Sequence, residues 1–154
     1  QIRKLPQIVQ HMQQSNRRMR AQLEGTPGLQ LRRLNDPEGD AGPFLIFLLE
    51  NEAKAIHAVR QMKEAGLQSA VRLADYGLHI YSNIPALVSK TTLSSAGNPW
   101  SLEQNAQSVY RYAKGACPAS DALFARSILL PVPSRLTEEQ ENWAVQVIKK
   151  AVQP

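Results

Sequence analysis

Apolar positions change their period several times along this chain, and each change marks an element. From Gln7 to Leu23 good helix formers carry Ile8, Met12, Met19 and Leu23 near helical spacing until Gly25-Thr-Pro-Gly28 stops the run, which predicts a long first helix. Its apolar stripe is thin, so it is expected to pack against a partner instead of completing this domain's own core. Leu29, Leu31 and Arg33 alternate with polar neighbours as in a half-buried strand, and a stretch dense in turn formers follows, Asn35 to Pro43. Phe44 to Leu49 is apolar on both faces, which predicts a central strand. Between Glu52 and Ala65, Ile56, Val59 and Met62 recur at helical spacing, and Gly66 can take the left-handed conformation that ends a helix. Leu67 to Leu73 then reads as a returning strand, so the middle of the chain is a strand-helix-strand unit.

Asp75 to Trp100 lacks such a pattern and holds Tyr76, His79, Ile80, Tyr81 and Asn83-Ile-Pro85 before a Thr/Ser-rich stretch. A long polar loop carrying aromatics and a histidine is where binding residues gather, because a loop places side chains without disturbing the core. Ser101-Leu-Glu-Gln104 has the spacing of a capping box and predicts a helix to about Lys114. Pro118 can open another helix through Arg126, and Ile128-Leu-Leu130 reads as a short buried strand closed by Pro131 and Pro133. Thr137-Glu-Glu-Gln140 is a second capping box, followed by one apolar face of Ala144, Val147, Ile148 and Ala151 with Lys149 and Lys150 at the carboxyl end. Strands interspersed with exterior helices give a two-layer α+β or α/β sandwich.

Composition narrows the class. A length of 154 residues with 43% hydrophobic content fits a single domain that builds its core without metals or disulfides. Cys117 is the sole cysteine, and His11, His57 and His79 stand too far apart to suggest a metal site. No apolar run approaches the roughly 20 residues of a membrane span, and the polar start at Gln1, Arg3 and Lys4 lacks a signal peptide's apolar segment. A soluble protein of the reducing cytoplasm is therefore expected. The net charge of +5 comes largely from Arg17, Arg18, Arg20, Arg32 and Arg33. No aromatics are interleaved with them as a base-stacking surface requires, so a solvated or subunit-facing basic surface is favoured over nucleic-acid binding.

The section Cys117-Pro-Ala-Ser-Asp-Ala-Leu-Phe-Ala-Arg-Ser-Ile-Leu-Leu-Pro131 followed by Leu136-Thr-Glu-Glu-Gln140 resembles the ending of the DegT/DnrJ/EryC1/StrS family of pyridoxal-phosphate-dependent sugar aminotransferases. Gln1-Ile-Arg-Lys-Leu-Pro-Gln-Ile-Val and Asn16-Arg-Arg-Met-Arg resemble the long helix that joins that family's large and small domains. The resemblance spans nearly the whole chain. It implies the C-terminal small domain: a linking helix over 1–25, a body over 29–152 with a small, mainly antiparallel sheet and helices packed on it, and a loop over 75–100. In that loop Leu78-His79 matches the second histidine of a family pattern of two, and Ala74 stands at the first.

The resemblance also says what this chain lacks. Transamination needs a lysine to hold pyridoxal phosphate, an acid on the pyridine nitrogen and a cradle for the phosphate, and the family keeps these mainly in its large domain. None of Lys4, Lys54, Lys63, Lys90, Lys114, Lys149 and Lys150 lies in the family's lysine motif, so no cofactor is expected in this chain and the isolated chain is expected to be inactive. His79 and Tyr81 are implied substrate contacts on the sugar side, and Arg72 is a candidate for clamping a carboxylate bidentately. Asp75 with His79 offers an acid-base pair without a nucleophile. The partners implied are a large aminotransferase domain, a second copy of the chain and a sugar substrate. The alternative is a non-catalytic, self-associating module that binds through the 75–100 loop.

Overall fold

The computed structural model describes residues 2–94 and 96–153. Its elements are α1 (Leu5–Leu23), β1 (Gln30–Leu31), β2 (Phe44–Leu48), α2 (Glu52–Glu64), β3 (Val71–Arg72), α3 (Pro85–Val88), α4 (Pro118–Ala125), β4 (Ser127–Pro131) and α5 (Glu138–Ala151). The four strands form one sheet in the order β1-β2-β4-β3, with every neighbouring pair antiparallel. β2 and β3 both pair antiparallel with β4 and so run parallel to each other, which makes the predicted strand-helix-strand unit a split one with β4 inserted. This is a small α+β domain, one of the two classes that the patterning leaves open and the one that the family resemblance implies.

Register decides which face of the sheet is core. Leu45 lies opposite Leu130 and Phe47 opposite Ile128, and these four side chains point at the helical layer and are buried. Met19 and Leu23 of α1, Ala55, Ala58 and Met62 of α2, and Ala144, Val145, Ile148 and Ala151 of α5 complete that core. On the opposite face Phe44 is 37% exposed and Ile46 and Leu48 are half-buried, so β2 is central in the sheet but only partly covered on its second side. No described helix is long and apolar enough to cross a membrane.

Four expectations are corrected. The body of α1 is not an orphan: Met19 and Leu23 are fully buried and the helix packs on α5 and β2, leaving without cover only its first residue, Leu5, 53% exposed, and Ile2 in the 3-10 turn before it, 85% exposed. The thin stripe suffices because the buried Asn16 replaces an apolar side chain there, donating to the carbonyls of Gly42 and Phe44 at 3.4 and 3.0 Å. The helix expected over Ser101 to Lys114 does not form, and the chain makes short 3-10 turns at Pro99–Ser101 and Glu103–Asn105 instead. There the Ser101 hydroxyl donates back to the Asn98 carbonyl, and Leu102, Val109 and Tyr110 stay exposed, so a helix would have no packed face to hold it. The strands expected over Leu29 to Arg33 and Leu67 to Leu73 shrink to residue pairs at the sheet's two edges, because neighbouring residues bond in turns instead: Leu29 donates to the Thr26 carbonyl, Leu67 and Ala70 to those of Met62 and Leu67, and Leu73 opens a 3-10 turn. By contrast the Thr137 capping box forms, with the Thr137 and Gln140 side chains and backbone amides bonded reciprocally.

Candidate functional site

The segment from Arg72 to Asn83 leaves β3 as three consecutive 3-10 turns and lies beside α4. Its three sequence-predicted residues take different parts. Arg72, 15% exposed at its side chain, donates from Nε and Nη2 to the two Asp75 oxygens at 2.8 Å each, and from Nη1 to Glu52 of α2. The hydrogen bonds to Asp75 raise its pKa above the ordinary arginine value, against the opposing effect of burial. The expected bidentate clamp thus exists, but it closes on this chain's own carboxylates. Its effect is to pin the start of the loop to α2.

Tyr81 is likewise engaged internally. Its hydroxyl lies 3.0 Å from both Asp121 oxygens, to which it donates, and accepts from the Cys117 amide at 3.2 Å. Asp121 also accepts from the Gly115 amide at 2.7 Å, so one carboxylate in the first turn of α4 ties the 113–117 segment to the loop. Tyr81→Phe is expected to lower stability by about 1 kcal/mol, the ordinary net contribution of such a bond, measured by thermal unfolding with circular dichroism as the fold control. An unchanged midpoint would mean that the Asp121 contact contributes nothing.

His79 is the exposed member. Its ring stacks on Tyr76 at 4.7 Å between centroids, and Tyr76 meets Phe44 edge-on at 6.5 Å. The imidazole is therefore held by an aromatic neighbour that rests on the less covered face of the sheet, and its nitrogens make no hydrogen bond among the described residues. The structure does not join His79 to Asp75 as an acid-base pair, since both Asp75 oxygens are held by Arg72.

Between the loop and α4 lies a cavity of about 180 Å3 lined by Arg72, Asp75, Ser82, Asn83, Lys114 and Asp121, among others. Glu52 and Asp121 were not singled out from sequence. Asp121 carried a signal only as an acid in a helix's first turn, where the dipole alone explains it. Glu52 had the same reading at the start of α2, and only the packing of α2 against β3 brings it to Arg72.

No family model matches the chain. Among solved structures it is similar to a protein of Streptococcus pneumoniae described as a sugar aminotransferase. The apo form matches with TM-score 0.63 and 15% identity and the PMP form with 0.61 and 14%, each over 98% of this chain and 32% of that one. It is also similar to 3-amino-5-hydroxybenzoic acid synthase, with TM-score 0.59 and 16% identity over 99% of this chain and 36% of the other. At such identities the likeness is one of fold. The chain spans about a third of the length of these proteins, and it has the fold of a segment that they contain.

Proposed function

We propose that this chain is the small-domain part of a pyridoxal-phosphate-dependent aminotransferase acting on a keto-sugar or nucleotide sugar, and that it does not catalyse alone. The observation that carries the reading is a fold likeness over nearly the whole chain to about a third of a described sugar aminotransferase. Bound to the complete enzyme, the cofactor would supply the electron sink for moving the amino group. The residues here do not fit it. Each lysine is exposed except the half-buried Lys149, so none has the desolvated setting in which an amine becomes a nucleophile at neutral pH. Lys114 lines the cavity beside the loop, but it too is exposed. Asp75 and Asp121 there are already engaged by Arg72, Tyr81 and the Gly115 amide.

In this reading His79 binds and orients the sugar, and Arg72 and Tyr81 hold the loop that presents it. An exposed free thiol at Cys117 is in keeping with a reducing, cytoplasmic setting. The isolated chain should show no pyridoxal phosphate absorbance and no borohydride-trapped lysine adduct, whereas addition of a matching large domain should restore transamination. His79→Ala in the reconstituted enzyme should raise KM for the sugar. A trapped adduct on the isolated chain, or no gain from the large domain, would sink the proposal.

The exposed Ile2 and Leu5 favour a second reading, in which the chain alone is a binding module that self-associates through the start of α1. Light scattering checks it: a monomer at high concentration, unaffected by Leu5→Glu, excludes that dimer.

A further inference from the structure

Two of the five arginines that stand out in sequence are neutralised by carboxylates elsewhere in the fold. Arg17 pairs with Glu38 at 3.0 Å and Arg18 with the buried Glu141 at 2.6 Å. Three others converge instead on one recess. Arg20, Arg32 and Arg33 line a cavity of about 290 Å3 with Leu23, Glu24, Gly25, Leu29 and Leu31, where the end of α1 turns into β1.

Their charges are only partly offset. Arg32 reaches Asp40 at 3.0 Å, while Arg20 donates to the neutral backbone carbonyl of Arg32 at 2.9 Å, and neither Arg20 nor Arg33 makes an ion pair among the described residues. The buried Arg32 Nε has no hydrogen-bond partner among the described residues. Burial, and then the nearby Arg32 charge, lower the Arg20 pKa from its ordinary value, so the fold holds a partly buried guanidinium beside a second one at an electrostatic cost. Glu24, which also lines the recess, offsets part of that charge, and the recess adjoins a second one past Glu24 and Gly25 that contains Lys149.

We propose that this recess binds the phosphate group of a small, soluble phosphomonoester through Arg20, Arg32 and Arg33. Planar guanidinium forks match phosphate oxygens in pairs. A dianion is favoured over a carboxylate because at Arg18 and Glu141 a single guanidinium already satisfies a carboxylate bidentately, whereas here three surround one space. The site does not depend on the aminotransferase reading and lies on a different part of the chain from the loop bearing His79.

The test is titration of the full chain with inorganic phosphate, followed by calorimetry and by amide shifts in nuclear magnetic resonance. The expected result is one saturable site with Kd near or below millimolar, shifts centred on Glu24, Gly25 and Arg33, and weaker response to acetate. Arg33→Gln should weaken binding roughly tenfold, the loss of about one charge-assisted bond. Glu24→Gln should tighten it. Arg33 is exposed, so its variant should fold, and the opposite sign of the Glu24 variant tests the charge argument even if it does not. Absence of saturable binding, equal affinity for acetate, or affinity unmoved by both substitutions would overturn the proposal. Sedimentation with phosphatidic acid vesicles separates the other phosphate source, because vesicle binding lost in Arg33→Gln without binding of free phosphate would rule out a soluble ligand.

Discussion

Arg18→Met should destabilise the protein by about 3 kcal/mol in urea unfolding at neutral pH, because it strands a buried carboxylate. Glu141 on α5 is 1% exposed at its side chain and accepts from Arg18 Nε at 2.7 Å and from Nη2 at 2.6 Å. Arg18 itself is 37% exposed, and this access to water places the expected loss at the low end for a broken buried pair. Methionine keeps most of the apolar stem, so the loss reports the charge and not the packing. The pH dependence provides an independent check. In the native protein the Arg18 hydrogen bonds hold Glu141 below the ordinary glutamate pKa, against the effect of burial. A depressed folded pKa means that the unfolded chain binds the extra proton, so this contribution is present above the ordinary glutamate value and is lost as pH falls through the folded one. Without Arg18 the largest lowering influence is gone and only those of Ser15 and His11 still oppose burial, so the Glu141 pKa rises from its native position and protonation relieves the variant on acidification. The gap between the two proteins should therefore narrow from neutral to mildly acid pH. A gap that stays constant would mean that Glu141 is not the origin of the loss.

A loss of about 3 kcal/mol is also expected for Gly42→Ala, for a different reason. Gly42 sits at φ +71°, and a Cβ there would lie 2.8 Å from the Met12 carbonyl oxygen and 2.9 Å from its carbon, both backbone atoms of α1 that have no rotamer to yield. The left-handed conformation costs about 1–2 kcal/mol for a residue with a side chain, and the forced separation adds about as much. Separation would also lengthen the Asn16 bonds to the carbonyls of Gly42 and Phe44, which seat α1 on β2. Gly25→Ala is the control, since Gly25 has φ +72° but no atom within 4 Å of the added carbon. It should lose only the conformational part, about 1 kcal/mol. Equal losses at the two positions in denaturant unfolding would refute the close approach of the 36–43 segment to α1.

Local chemistry alone determined much of this fold. The capping box at Thr137, the apolar run of β2, the helical spacing over α2 and Gly66 at its end are written in consecutive residues, and these elements formed within a residue or two of their expected bounds. Their order gave a two-layer α+β or α/β sandwich, and the antiparallel sheet was an expectation of the family resemblance alone. The Ser101 capping box failed by the same logic, because a cap starts a helix but packing sustains it, and the 101–114 segment has no core to face.

Tertiary structure decided everything that depends on partners distant in the chain. Whether Arg72 was a free clamp or an internal tie rested on Glu52, which lies on another element, and the same holds for Tyr81 and Asp121. Of five arginines alike in sequence, packing paired Arg17, Arg18 and Arg32 with carboxylates and left Arg20 and Arg33 beside one recess without an ion pair among the described residues. A side chain's type limits the bonds it can make, but only the folded chain brings the second atom within three ångströms, and that atom determines whether the group serves structure or remains open to a ligand.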